Sequence, residues 1–247
     1  MVFALWSERV KTIQTSDSAT SEFDQYAPSY AELLDDPLRN QFARDPLHFH
    51  KRKWLLIQEL LNRVNLTSTT LKWLDVGCGQ GELLKLAGKS FAQAIGCDPS
   101  AGMIVSGAPF KMYRQLSPVE LPFVDGSVDF VTAVCVYHHV HGTARALLTS
   151  EIRRVLRPGG LCCIIEHNPW NPITRAIVQR CPVDVDAELL TAQRSSAFLQ
   201  ASRFEVLSTD YFLYFPERFF NRLGSTERML RKIPIGGQYA LLARAVG

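Results

Sequence analysis

No apolar run in the 247-residue sequence approaches the roughly 20 residues needed to cross a bilayer, which argues against a helical membrane protein. Met1 to Trp6 is apolar, but Ser7-Glu-Arg-Val-Lys follows, with no long hydrophobic region and no cleavage site, so no secretory signal is expected. Charge of one sign is scarce. The 27 Lys and Arg exceed the 24 Asp and Glu by only +3, too little to argue for nucleic acid as a partner. None of the six cysteines (78, 97, 135, 162, 163 and 181) sits at zinc-site spacing. Most lie inside apolar runs, so reduced core thiols of a cytosolic protein are expected. Internal repeats and low-complexity linkers are also missing. Residues 1–22 are expected to be flexible, and 23–247 to form one domain. What is present, 47% hydrophobic and 21% charged residues, suffices for one sizeable α/β domain with a modest appendage.

Residues 23–66 read as a helical cap: a short helix broken by Pro28, then a helix from about 50 to 64 with Trp54, Leu55, Ile57, Leu60 and Leu61 on one stripe. Residues 67–166 alternate strand-like runs (72–76, 93–98, 111–115, 129–137 and 161–166) with helical patterns (81–88, 101–107 and 143–156). The last helix has Thr143 as its expected cap and Pro158-Gly159-Gly160 as its stop. Near-continuous apolar strands between helices predict a parallel sheet covered on both faces. In residues 167–247 helical pieces at 173–180 and 187–200 precede strand-like runs at 204–214 and 237–246, which predict an antiparallel hairpin closing one sheet edge.

The stretch Leu71-Lys-Trp-Leu-Asp-Val-Gly-Cys-Gly-Gln-Gly81 is a buried strand running into three glycines and then a helix. Such a turn lets a ligand approach the backbone, and the helix start favours negative charge. Its spacing differs from the G-x-G-x-x-G of dinucleotide folds, whose third glycine falls one residue later. Asp98 in Ile95-Gly-Cys-Asp-Pro-Ser100 can accept both hydroxyls of a ribose. Two further elements follow, Val119-Glu-Leu-Pro-Phe-Val-Asp-Gly-Ser-Val-Asp-Phe-Val131 and Arg154-Val-Leu-Arg-Pro-Gly-Gly160.

With these four motifs in this order, residues 23–166 resemble a class I S-adenosylmethionine-dependent methyltransferase of the small-molecule type. The resemblance implies an α/β, Rossmann-like, doubly wound seven-stranded sheet of order 3-2-1-4-5-7-6 with strand 7 antiparallel. It implies S-adenosyl-L-methionine as cofactor, above strands 1, 2 and 4. Asp75 would sit near the methionine amine, the turn Gly77-Cys78-Gly79 against the cofactor, and Asp98, followed by Pro99, on the ribose. Met103 would pack near the adenine and Val134 beside the methionine portion. Where family members often carry an acid for the adenine amine, this sequence has Ser117-Pro118, and Ser117 can accept one hydrogen bond without charge. Tyr26 and Tyr30, four apart, would share a helix face over the cofactor if Pro28 permits a helix, or else pack the cap on the core.

Methyl transfer needs an acceptor held in line and, for a hydroxyl, a base. Strand four ends in Val134-Cys-Val-Tyr-His-His-Val-His141, and Glu166 ends the next strand. His138 or His139 with Glu166 as orienter makes a base pair resembling the His-His and Asp of sugar O-methyltransferases, with Glu in place of Asp. His138 is expected nearer the acceptor, and His141 in a loop. In other family members the His pair also serves packing. Asp184, Asp186 and Glu188 form an acidic triplet, but Asp186 as cap of a helix starting at Ala187 is the simpler account, so no metal is expected. The segment 218–232 is basic and aromatic, open to a weak membrane-surface or lipid-linked contact; a packed surface helix is the plainer reading. The expected activity is methyl transfer to a small molecule, foremost to oxygen of a sugar, phenol or lipid-linked compound. Nitrogen or carbon acceptors, a NAD-type dehydrogenase and a non-catalytic cofactor-binding module are the alternatives. The glycine spacing and the lack of a Tyr-x-x-x-Lys pair stand against the dehydrogenase.

Overall fold

The computed structural model describes residues 21–104, 109–115 and 117–247. The flexibility expected of residues 1–22 and the end of the helix expected at 101–107 fall outside them, all but Ser21 and Glu22 in the first case. Seven strands form one sheet: β1 (Lys72–Val76), β2 (Gln93–Asp98), β3 (Lys111–Arg114), β4 (Val128–Val134), β5 (Leu156–His167), β6 (Phe204–Phe212) and β7 (Gln238–Ala245). Their order is β3-β2-β1-β4-β5-β7-β6, with β7 antiparallel to both neighbours, as the resemblance implied. Four of the five β1 residues are buried, as the apolar run predicts for a strand covered on both faces. β1 lies between β2 and β4, so the strand order reverses there. A crevice beyond the carboxyl ends of the strands follows from that reversal.

The helices are α1 (Tyr30–Leu33), α2 (Pro37–Phe42), α3 (His48–Arg63), α4 (Glu82–Ala87), α5 (Ala144–Val155), α6 (Pro172–Arg180), α7 (Ala192–Ala201) and α8 (Glu217–Leu230). Pro28 divides the expected first helix into separate turns, since it cannot donate within a continuous ladder. In α3 the buried apolar stripe is Leu56, Ile57, Leu60 and Leu61, whereas Leu55 is 46% exposed. Leu56, not Leu55, lies four residues before Leu60, and the 3.6-residue period turns Leu55 to solvent.

Three other expectations are corrected. β5 begins at Leu156, so Pro158-Gly159-Gly160 belongs to the strand, with Gly159 at φ 74 and the Arg157 guanidinium paired to Asp129. Thr143 precedes α5 without a side-chain cap, because its backbone is already helical. The helix expected at 187–200 starts only at Ala192, capped by Thr191 Oγ1 on the Arg194 amide at 3.3 Å. Residues before it are held elsewhere: the Glu188 amide donates to the His138 carbonyl at 2.9 Å. Asp186 therefore caps no helix.

α8 runs unbroken through Gly224 and lies across α3. Arg52 and Glu227, 6% and 5% exposed, form a buried ion pair, and the Arg52 guanidinium lies 3.5 Å from the Phe220 ring centroid. Glu227 also accepts from the Tyr214 amide at 2.8 Å. The inner face of this basic helix is thus occupied by α3, while Phe219, Leu223 and Met229 stay exposed. No helix among the described residues is long and apolar enough to cross a membrane. Removing one partner of a buried pair strands the other charge. Glu227→Ala should therefore lose about 3–5 kcal/mol in urea denaturation, and the double variant Arg52→Met with Glu227→Leu should recover most of it. An unchanged midpoint in the single variant would contradict the anchoring.

Candidate active site

β1 delivers its chain to the crevice in a tight turn, with Gly77, Gly79 and Gly81 at φ 67, 54 and 79. The Gly77 and Cys78 amides both donate to the Cys97 carbonyl, at 2.8 and 3.0 Å, which ties the turn to the end of β2. A Cβ on Gly77 would meet Val136 Cγ2 at 2.5 Å, whereas one on Gly79 would meet nothing within 4 Å. Gly77 is thus required by packing and Gly79 by its backbone conformation, with open space before it. The turn forms the floor of a cavity of about 1190 Å³ that extends under the N-terminal cap and the 167–184 segment.

Two carboxylates face this cavity at the strand ends. Asp98 accepts the Gly79 amide on Oδ2 and the Ser100 amide on Oδ1, each at 2.9 Å. Burial nonetheless pushes its carboxyl up, those two amides working the other way. Asp75, 3% exposed, ends a buried relay: Trp73 Nε1 donates to Thr132 Oγ1 at 2.8 Å, and that hydroxyl donates to Asp75 Oδ1 at 2.5 Å. Burial pushes the Asp75 carboxyl up to about 7, opposed by the Thr132 hydroxyl and the Lys53 ammonium. A buried carboxylate of this kind fits an ammonium group, and the spare lone pairs of Asp98 fit a vicinal diol. The donor set therefore suits S-adenosylmethionine, as the resemblance implied.

Among the other expected cofactor residues, Cys78, Pro99, Met103, Val134 and Tyr30 line the same cavity. Two do not. Ser117 Oγ accepts the Val119 amide at 3.3 Å within its own turn, and Tyr26 sets its ring against Phe23 with centroids 5.9 Å apart. Gln115, 2% exposed, stands on the wall near Ser117 instead. Its place at the end of β3 is the sequence signal that could have marked it. Lys53, also on the wall, reads from sequence only as the polar side of a cap helix.

Beyond β4 the chain makes a short 3-10 turn, Tyr137–His139. Glu166 accepts the Val136 and Tyr137 amides on Oε1, at 2.8 and 2.7 Å, and stands 2.5 Å from His138 Nδ1 through Oε2. On the other side His138 Nε2 lies 3.6 Å from Asp184 Oδ1, and His139 Nε2 lies 3.3 Å from the same oxygen. Burial alone would lower His138, but Glu166 and Asp184 outweigh it and raise the imidazole to about 10. Its two carboxylate neighbours thus favour the protonated form of His138. His139 is held below its ordinary value, chiefly by burial, with Asp184 pulling the other way. Asp184 stays ionised, its pKa held well down by both histidines against the effect of burial.

The expected pair therefore divides. His138 and Glu166 are the buried scaffold, and Glu166 does not reach the cavity wall. His139 lies lower in pKa and pairs with Asp184 rather than Glu166. The acidic triplet divides too: Glu188 pairs with Arg145 at 2.9 Å and Arg194 at 3.1 Å, and Asp186 is exposed. One ligand atom each from His138, His139 and Asp184 falls within 4.8 Å of the others, a spacing that a metal ion could bridge.

Residues 74–164 match the family described as Methyltransferase domain. A demethylmenaquinone methyltransferase of Symbiobacterium thermophilum is 36% identical over 115 residues, covering 41% of this chain and 45% of that protein. A 2-methyl-6-phytyl-1,4-hydroquinone methyltransferase of Synechocystis is 23% identical, covering 63% and 52%. The chain thus spans about half the length of these relatives. An S-adenosylmethionine-dependent methyltransferase structure from Thermotoga maritima superposes with a TM-score of 0.63 at 14% identity, over 90% of this chain and 97% of that one. The resemblance read from the four motifs is borne out, and the fold is that of these methyltransferases.

Asp75 gives the site a signature in pH. In the free protein its carboxyl titrates near 7, while an ammonium ligand is held by the carboxylate, so binding weakens as pH falls through 7. Calorimetry with S-adenosylhomocysteine should show affinity about tenfold lower at pH 6 than at pH 8, and Asp75→Asn should bind weakly at both. A flat wild-type profile would contradict the assignment.

Proposed function

We propose that this protein transfers a methyl group from S-adenosylmethionine to a small molecule bearing an aromatic hydroxyl, of the phenol or hydroquinone class and including lipid-linked forms. The observation that carries this reading is the His139–Asp184 pair, set on the wall of the cavity that also holds Asp75 and Asp98. The cofactor supplies an electrophilic methyl on a sulfonium. Asp75 offers its ammonium a counter-charge and Asp98 offers its ribose two acceptors. His139, neutral and partly exposed, takes the proton of the acceptor hydroxyl, and Asp184 steadies the imidazolium that forms. His138, enclosed between Glu166 and Asp184, keeps the Asp184 carboxylate in place beside His139. Phe23 lies edge-on over His139 with centroids 4.9 Å apart and limits water at that ring.

A phenolate is nucleophilic at oxygen and at its ring carbons, so one base serves either outcome and the product decides between them. Support for the acceptor class comes from the quinone and hydroquinone in the relatives' names. An apolar side chain that both lines the cavity and meets solvent favours a lipid-linked form: Ile173 is on the wall while 49% exposed.

Labelled-methyl transfer should be measured with a soluble hydroquinone, a prenylated hydroquinone in detergent and a sugar. Methylation of the hydroquinones is expected. His139→Ala should lower turnover by roughly 10²–10⁴ with cofactor affinity intact. Near-normal turnover in that variant would remove the base, and methylation of the sugar alone would overturn the acceptor class.

A further inference from the structure

Cys135 follows β4 with its backbone at φ 57, uncommon for a residue with a side chain. It sits on the wall of the cavity, between the donor floor and the histidine corner. Its sulfur accepts from Lys53 Nζ at 3.6 Å and from Gln238 Nε2 at 3.4 Å. The Gln238 amide nitrogen is also 3.4 Å from His167 Nδ1. Lys53 is only 6% exposed, and among the described residues its hydrogen-bond contact is the Cys135 sulfur, with the Asp75 carboxylate acting on it at longer range.

A second observation is independent of the sulfur. Gln238 is 5% exposed and lines the same cavity, yet its Oε1 has no hydrogen-bond partner. A buried acceptor left open costs stability unless a ligand donates to it. The sulfur and the open acceptor belong to adjoining side chains, so one ligand can meet both.

We propose that Cys135 is a second reactive centre of this cavity, a thiolate that adds covalently to soft carbon electrophiles of the quinone class, with Gln238 Oε1 accepting from a hydroxyl of the adduct. The electrons balance without an outside oxidant. The thiolate forms an S–C bond at a ring carbon, and the displaced π pair moves to the ring carbonyl oxygen, which takes a proton from water. Loss of the ring C–H proton to the second oxygen restores aromaticity, leaving a thioether of a hydroquinone. The choice of quinone rests on the acceptor class proposed above; the thiolate itself does not.

The other five cysteines provide the internal control. Burial pushes the thiols of Cys78, Cys97, Cys162, Cys163 and Cys181 up. Burial acts on Cys135 in the same sense, but Lys53 and His167 outweigh it and bring the thiol down to about 7. Thiolate fraction and access govern cysteine reactivity.

The test is peptide mass spectrometry on the full chain treated with limiting N-ethylmaleimide or 1,4-benzoquinone at pH 7.5. Cys135 should be labelled first by both reagents, about tenfold or more ahead of any other cysteine. Lys53→Met should slow its labelling by about tenfold, the effect of one pKa unit. Should that variant fold poorly, the pH profile of wild-type labelling decides, with a midpoint near 7 expected. Labelling spread evenly over the cysteines, or a midpoint above 8.5, would overturn the proposal. Maleimide labelling without a benzoquinone adduct would overturn the quinone class. Either failure leaves the methyl-transfer reading standing on its own assay.

Discussion

The corner where chemistry is proposed depends on one buried carboxylate. Glu166, wholly enclosed at the end of β5, receives two backbone amides with one oxygen and His138 with the other. Burial opposes its charge, but the His138 charge and those donors outweigh it and hold the carboxyl below its usual range. A charge so placed is tolerated only when paired and hydrogen-bonded. In meeting that need, Glu166 fixes the loop after β4, directs His138 Nε2 toward Asp184, and so places the carboxylate that orients His139. The two histidines are driven apart by their surroundings: Glu166 and Asp184 raise His138, while burial, helped by the neighbouring His138 charge, lowers His139.

The sheet explains why donor and acceptor groups meet. β1, β2 and β4 end side by side at the strand-order reversal, so Asp75, Asp98 and the histidine turn open into one space although they come from separate motifs. The later segment returns Asp184 from the other side. α8 is anchored on α3 by the Arg52–Glu227 pair, and the stretch after it is tied to that segment by Asn168 and Asn171, whose side-chain amides donate to the Pro234, Gly236 and Ile235 carbonyls. Cap, floor and cover are thereby linked, and each contributes a charged group near the cavity.

Much of the donor half was legible in the sequence because its signals are local. Gly77 and Gly79 declare a turn by spacing alone, and Asp98 declares itself by ending a short apolar run. The acceptor half was legible only in part. Two adjacent histidines announce a site, but which is scaffold and which is base is set by Glu166 and Asp184, contacts far apart in the chain. Asp184 reads as one of three acids near a helix start because no local signal says that the helix begins only at Ala192. Ser117 holds the position of the family's acid in the sequence, but the turn it forms with Glu120 draws its hydroxyl to the Val119 amide. Cys135 read as a core thiol. Its left-handed backbone and its ammonium neighbour, Lys53, are tertiary facts that composition cannot carry.

The central claim is that the crevice above β1, β2 and β4 is built for a sulfonium cofactor rather than a dinucleotide. Calorimetric titration of the wild-type chain and an Asp98→Ala variant with S-adenosylhomocysteine, and separately with NAD, tests it most directly. The account predicts one-to-one binding of S-adenosylhomocysteine to the wild type, weakening by about tenfold or more when the two charge-assisted acceptor contacts are lost, and no binding of NAD. Saturable NAD binding, or S-adenosylhomocysteine affinity indifferent to Asp98, would contradict it.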